Sequence, residues 1–576
     1  MLDVKIRGGT VLDGTGSPAR TADVAVRDGK VVGIGPTDEP AARTIDAAGL
    51  MVAPGFVDLH THYDAQLAWD PTASPSPLHG VTTVIGGNCG FSLAPAGPEH
   101  ADYLMRLMAR VEGMPLAALA GGLSWDWDSF ADWLGRLEGR LGVNAGFLVG
   151  HSALRRVAMG ADAVGGPADA GQVEAMVALL HEALAGGALG FSTSQAPTHS
   201  DGNGDPVPSR WADRAELSAL AGAVSGHAGT TLELILAGCL NGFSDEEVDL
   251  MTHLSLTANR PANWNVLGVS SMNPEGHVRQ LDASTRAAEK GARVVALTLP
   301  HSMGIRLSFL SGAVLEGLPG WGPVMKLAPE EKMRALSDPE VRRRLAEGAA
   351  SPEAGVLGGL ATWHRLLITE TFSPENGGAA GRPVGDVARE RGVEPFDALL
   401  DVVVADGLRT GIRPPMPKET DEDWRLRAEV WRDPRTVVGG SDAGAHLDMM
   451  CGAVYSTALL ASVRDHQTLT WEEAARQLAD VPARLYGLTG RGRLEPGSAA
   501  DVVVFDPERV GPGPERTVDD LPGGAARLYA GATGVEHVLV TGTGVVEGGR
   551  LTGECPGVLL RSGRDTETVT VPGRPS

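Results

Sequence analysis

Eight short apolar runs, spaced along the middle of the chain, constrain its fold more than any other feature. They fall at 53–62, 81–85, 145–150, 188–192, 231–235, 262–267, 293–297 and 436–440. Helical patterns intervene. In 172–184, for instance, Val173, Met176, Val177, Leu180 and Leu184 recur every three or four residues. Strands separated by helices pair in parallel, because the helix supplies the long crossover that a parallel pair needs. A count close to eight predicts an α/β architecture, the (β/α)8 or TIM-like barrel. Residues 300–360 are rich in Pro, Glu and Arg with broken periodicity, and predict an insertion or lid over the strand ends.

The two ends of the chain read differently. Residues 1–53 hold short strands and tight turns: Val4 and Ile6 alternate, and Asp13-Gly14 and Asp28-Gly29 are turn dipeptides. Residues 491–576 repeat the pattern, with a strand at 502–505 and a hairpin at 535–546. Neither piece can build a good core alone, so both ends are expected to form one small β domain beside a barrel at 54–490.

Composition excludes several functions. The net charge is −23 and no Lys/Arg cluster occurs, which argues against nucleic acid or anionic membranes as partners. No apolar run is long enough to span a bilayer. Cys89, Cys239, Cys451 and Cys555 lie far apart without a CxxC pair, and the first residues read as a strand rather than a signal peptide. The expectation is a cytoplasmic protein; a homo-oligomer is left open.

On a barrel, reactive groups sit at the C-terminal strand ends. Four polar clusters follow apolar runs: His60 with His62, Asn88-Cys89-Gly90, Gly150-His151-Ser152, and 441–446 with Asp442 and His446. Residues two apart on a strand share a face, so His60 and His62 point together and suit a divalent transition ion. Read blandly, they are two exposed loop histidines. Cys89 offers a soft thiolate to the same ion; a small buried cysteine is the bland alternative. His151 is equally a ligand, a proton donor or a core histidine. His199 is in a loop, and His446 reads as a helix start. Asp442 ends an apolar strand and needs a partner there, which fits a ligand or general base.

These residues resemble the amidohydrolase superfamily, and within it the N-acyl-D-amino-acid deacylase (D-aminoacylase-like) group. The carriers are 54–66, from Pro54 to Gln66, and 80–91, with Gly87-Asn88-Cys89-Gly90-Phe91. Residues 149–155, 188–194, 440–446 and 493–501 add to them. The resemblance implies a metal-dependent barrel flanked by a β-sandwich built from both termini. It implies one or two divalent ions, zinc foremost, held by His60, His62, Cys89 and Asp442, with Asp442 as acid/base. It implies a small-molecule substrate with an amide and a carboxylate. His151 and His446 are further catalytic candidates, and Arg155, His199, Glu233 and Asn265 are candidates for holding substrate. The pattern also departs from the group. Two histidine ligands expected at the ends of the fifth and sixth strands are absent, and those runs carry Glu233 and Asn265 instead. The departure keeps two alternatives open: a cyclic-amide hydrolase or related decarboxylase, and a non-catalytic binding protein.

Overall fold

The computed structural model describes residues 1–240, 242–302 and 304–575. Its centre is a barrel of parallel strands: β1 (Phe56–Asp58), β2 (Val81–Gly86), β3 (Asn144–Phe147, continuing after a break at Leu148 as Val149–Gly150), β4 (Gly190–Ser194), β5 (Thr231–Ile235), β6 (Ala262–Leu267), β7 (Val294–Thr298) and β8 (Thr436–Val438). Registers run from Val57 opposite Thr83 round to Leu297 opposite Val437. A parallel bridge between Thr61 and Ala443 closes the ring between the segments that follow β1 and β8. Buried Val57, Leu59, Ile85, Leu148, Leu297 and Val437 pack as one cluster with Leu485 and Tyr486.

The two ends of the chain share a sheet. Leu2–Val11 pairs in parallel with Met51–Pro54, which pairs antiparallel with Val502–Phe505, which in turn pairs with Val535–Val540. Val4, Ile6, Val24 and Val52 from one end bury against Leu494, Val502, Val504 and Leu539 from the other. This is the barrel-plus-β-sandwich architecture that the sequence predicts. Beyond Arg550–Leu551 the chain leaves the sheet and runs along the barrel wall: Leu560 N donates to Ala145 O at 2.7 Å and Gly557 N to Leu141 O at 2.7 Å.

Between β7 and β8 the chain builds a second core. Leu307, Phe309, Trp321, Leu345, Ile368, Leu399 and Ile412 form a cluster separate from that of the barrel. It includes the helix Pro339–Ala350 and an antiparallel pair of strands, Leu367–Glu370 with Gly411–Arg413. The inserted structure thus reaches well past residue 360. Arg110, on the helix between β2 and β3, pairs with Glu316 of the insertion. No helix among the described residues is long and apolar enough to cross a membrane.

Asp501 ties the β domain to the barrel. Its carboxylate accepts from Asn144 Nδ2 on β3 at 3.0 Å and from Thr541 N at 2.8 Å, and Arg491 pairs with it. Both charged partners are nearly buried, so removing one leaves the other uncompensated. Asp501→Ala should therefore lower stability by about 3–5 kcal/mol in urea unfolding. A change under about 1 kcal/mol, the range of surface pairs, would assign the cluster no structural weight.

Candidate active site

The site is built where β1 ends. Thr61 N donates to Ile85 O on β2 at 3.0 Å, while His62 N donates to Ala443 O at 2.7 Å and Asp442 N to His60 O at 3.1 Å. The backbone is thus held on both sides, and His60 and His62 are buried with ring centroids 5.3 Å apart.

Cys89 arrives from the loop after β2. Two glycines make that loop possible. At Gly87 (φ +74°) a Cβ would lie 2.1 Å from Leu148 O, and at Gly90 (φ +75°) 2.8 Å from Ser194 N. Asn88 Nδ2 donates to Ile85 O at 2.9 Å and Thr61 O at 3.2 Å, which ties the loop to the histidine segment. Cys89 itself has φ +54° and Asp442 φ +60°, left-handed conformations that cost energy outside glycine. Backbone strain at both positions serves the aim of their side chains.

The donors converge. Cys89 Sγ is 3.4 Å from His60 Nε2, and Asp442 Oδ1 is 3.1 Å from His62 Nε2 and 3.5 Å from His60 Nε2. One donor atom each from His60, His62 and Cys89 lie within 4.8 Å of one another. Two imidazoles and a thiol, buried together with a carboxylate beside them, form a donor set suited to zinc and similar ions. The Asn265 side-chain amide, on β6, is 3.1 Å from His60 Nε2. Glu233, on β5, accepts from Cys89 N at 2.9 Å and lies 3.8 Å from His60 Nδ1. Both residues therefore face the histidine pair from the fifth and sixth strands.

Burial pushes His60 down to about 3 and Glu233 up to about 8. It also disfavours a charge on His62, but Glu112 and Asp442 outweigh it and hold that imidazole up at about 10. Burial also works against a charge on Asp442. The hydrogen bond and charge of His62, aided by His446 and His60, nonetheless hold that carboxyl below the usual range. His446 Nε2 sits 3.6 Å from Asp442 Oδ2 at the partly open rim. His199 is half-buried, its Nδ1 2.8 Å from Ser194 Oγ and its ring against Phe91. Burial lowers it to about 4, and the charges of Asp442, His62 and His446 also act on it, so it stands near the cluster.

Two candidates are placed differently from the sequence expectation. Both nitrogens of His151 are engaged, with Thr193 Oγ1 at 2.8 Å and Glu216 Oε1 at 2.7 Å. Arg155 is fully buried, paired with Glu216 and bonded to Gly166 O at 2.8 Å. Together they form a satisfied ion cluster, which leaves His151 no free nitrogen for an oxyanion and Arg155 no free edge for a substrate carboxylate. The residue that the sequence reading passed over is Glu112, whose Oε2 is 3.5 Å from His62 Nδ1. It follows an ordinary amphipathic helix, and no spacing links it to His62.

Comparison with known proteins settles the family. The Amidohydrolase family model matches residues 43–546. The chain belongs to the amidohydrolase family. An N-acyl-D-aspartate deacylase from Alcaligenes xylosoxydans xylosoxydans is 30% identical, covering 97% of this chain and 95% of that protein. An uncharacterized Mycobacterium tuberculosis protein is 31% identical over 98% of this chain and 95% of its own length. Among solved structures, the N-acyl-D-glutamate deacylase from Bordetella bronchiseptica, complexed with zinc and a phosphonate inhibitor, superposes with a TM-score of 0.62. It is 27% identical and covers 97% of this chain and 100% of that one.

If Cys89 is a ligand, Cys89→Ala should lower the zinc content of the purified protein while leaving its circular dichroism unchanged. Full zinc content in the variant would make Cys89 a packing residue only.

Proposed function

We propose that this amidohydrolase is a metal-dependent deacylase that cleaves the amide of a small N-acylated amino acid of the D series, or a related carboxylate-bearing amide. The observation that carries the reading is the convergence of His60, His62 and Cys89, with Asp442 at 3.1 Å from His62 Nε2. The similarity to N-acyl-D-amino-acid deacylases supports the substrate class. His60, His62 and Cys89 would hold a single ion of the zinc class, with Asp442 beside it. Glu233 and Asn265, standing where two further histidines are expected, favour one ion over two.

With a divalent ion held by His60, His62 and Cys89, the site would gain a Lewis acid for the scissile carbonyl and for water. The remaining chemistry belongs to the chain. Asp442, kept ionised by the histidines around it, accepts the proton of the attacking water as the C–O bond forms. It then delivers that proton to the nitrogen as the C–N bond breaks, releasing an amine and a carboxylate. His446, beside Asp442 at the rim, is the imidazole placed to donate to the developing oxyanion. Substrate enters through a cavity of about 270 Å³ that adjoins Ser441 and is lined by Leu299, Met450 and Val454. Arg413 lines the same cavity, paired with Glu515 at 2.5 Å, and is the arginine a carboxylate entering there would meet. The four cysteines are free thiols, and a reducing, cytoplasmic setting suits a Cys89 that must stay reduced.

Asp442→Asn preserves size but removes the basic oxygen. It should leave the fold intact and lower the hydrolysis of N-acetyl-D-amino acids by roughly 10²–10⁴-fold. A natively folded Asp442→Asn protein with a near wild-type rate rules out the acid/base role. A zinc-loaded wild-type protein that hydrolyses no N-acyl amino acid of either hand rules out the deacylase reading.

A further inference from the structure

We infer that Glu112 is a positioning residue that acts through His62, fixing which ring nitrogen of that histidine is free to bind a cation. The inference rests on the metal-binding reading of the site. Glu112 follows the helix Ala101–Val111, whose last turn it closes by donating its N–H to Met108 O at 2.9 Å. Its side chain is 3% exposed and reaches back into the barrel mouth, where Oε2 stands 3.5 Å from His62 Nδ1. On the opposite side of the same ring, Nε2 is 3.1 Å from Asp442 Oδ1. The imidazole is therefore bracketed by two carboxylates, one on each nitrogen.

That arrangement solves a tautomer problem. A neutral imidazole carries one N–H, and a nitrogen that binds a cation must be the other one. Nε2 is the nitrogen that faces Asp442, so a cation held there would leave the proton to Nδ1. Glu112 Oε2, 3.5 Å from Nδ1 and outside hydrogen-bond geometry, is the carboxylate that faces this nitrogen, and its negative charge favours a proton there. The main chain reinforces the placement. Glu112 O accepts from His446 N at 2.5 Å, and at Gly113 (φ +58°) a Cβ would approach His446 Cα to 3.1 Å. Residues 112–113 are thus wedged between the His62 ring and the turn that carries Asp442 and His446. Among the described residues Glu112 has no arginine or lysine partner; its ion-pair contact is His62 alone. A buried carboxylate without an arginine or lysine partner is costly, and orientation of a cation-binding histidine is a role that fits its place there.

The test is zinc affinity, read by chelator competition on the full chain, for wild type, Glu112→Gln, Glu112→Ala and the exposed control Glu99→Gln. Loss of such a supporting group weakens metal binding by about 10–100-fold. Glu112→Gln, which keeps an acceptor without the charge, should fall near the low end and Glu112→Ala near the high end; Glu99→Gln should bind as wild type does. Excess zinc should restore full loading of Glu112→Gln, and its unfolding midpoint in chelator should match wild type, neither of which a purely structural role predicts. Wild-type zinc affinity in folded Glu112→Gln overturns the assignment alone. A wild-type chain that takes up no zinc overturns the metal centre and this assignment together.

Discussion

The backbone contact between the end of β1 and the loop after β8 is the constraint on which the site depends. His62 N bonds to Ala443 O, Asp442 N bonds to His60 O, and Thr61 bridges Ala443. These contacts close the barrel, and by closing it they set the Asp442 carboxylate over the two imidazoles. Fold and site are here the same few bonds. A barrel left open between β1 and β8 would keep each of these side chains and lose the site. Cys89 and Asp442, both left-handed, lie in the loops after β2 and β8, on either side of the histidine segment.

Charge supplies the second constraint. Asp58, Asp64, Glu112 and Glu233 are buried around two histidines, with the partly exposed Asp442 beside them. Burial raises Asp58 to about 7 and Asp64 to about 6. Carboxylates crowded in this way ionise together only with a compensating cation close by, and the described residues place no lysine or arginine within ion-pair distance of Glu112, Glu233 or Asp442. A divalent ion on His60, His62 and Cys89 would meet that requirement. The same crowding explains why the satisfied cluster of His151, Arg155 and Glu216 is a different kind of object: its carboxylate already has an arginine.

The barrel was legible because its strands are continuous apolar runs between helices, and the joint β domain because Val502 and Val504 had no partners nearby in sequence. His60, His62, Cys89 and Asp442 stood out because each follows an apolar strand, and the structure brings them together. The same rule left His151 open among ligand, proton donor and core histidine, since a strand end serves a structural ion pair as readily as a catalyst, and the structure gives it the last of these places. The rule also passed over Glu112, which ends a helix rather than a strand and meets His62 only across fifty residues of chain. The insertion was legible as an interruption but not as a body with its own core. Helices such as Pro339–Ala350 bury only Leu345 and Ala349 among charged neighbours, so no apolar period announces them. Asn265 and Glu233 were visible as departures from the resemblance, but their convergence on His60 needed the three-dimensional arrangement of β5 and β6.

The central claim is that one ion binds to two imidazoles and the Cys89 thiolate. X-ray absorption at the zinc edge, on protein purified in the reduced state, tests it most directly. A single sulfur at about 2.3 Å together with nitrogen or oxygen neighbours at about 2.0–2.2 Å is the expected shell. A shell of nitrogen and oxygen alone, or a protein that retains no ion, would contradict it.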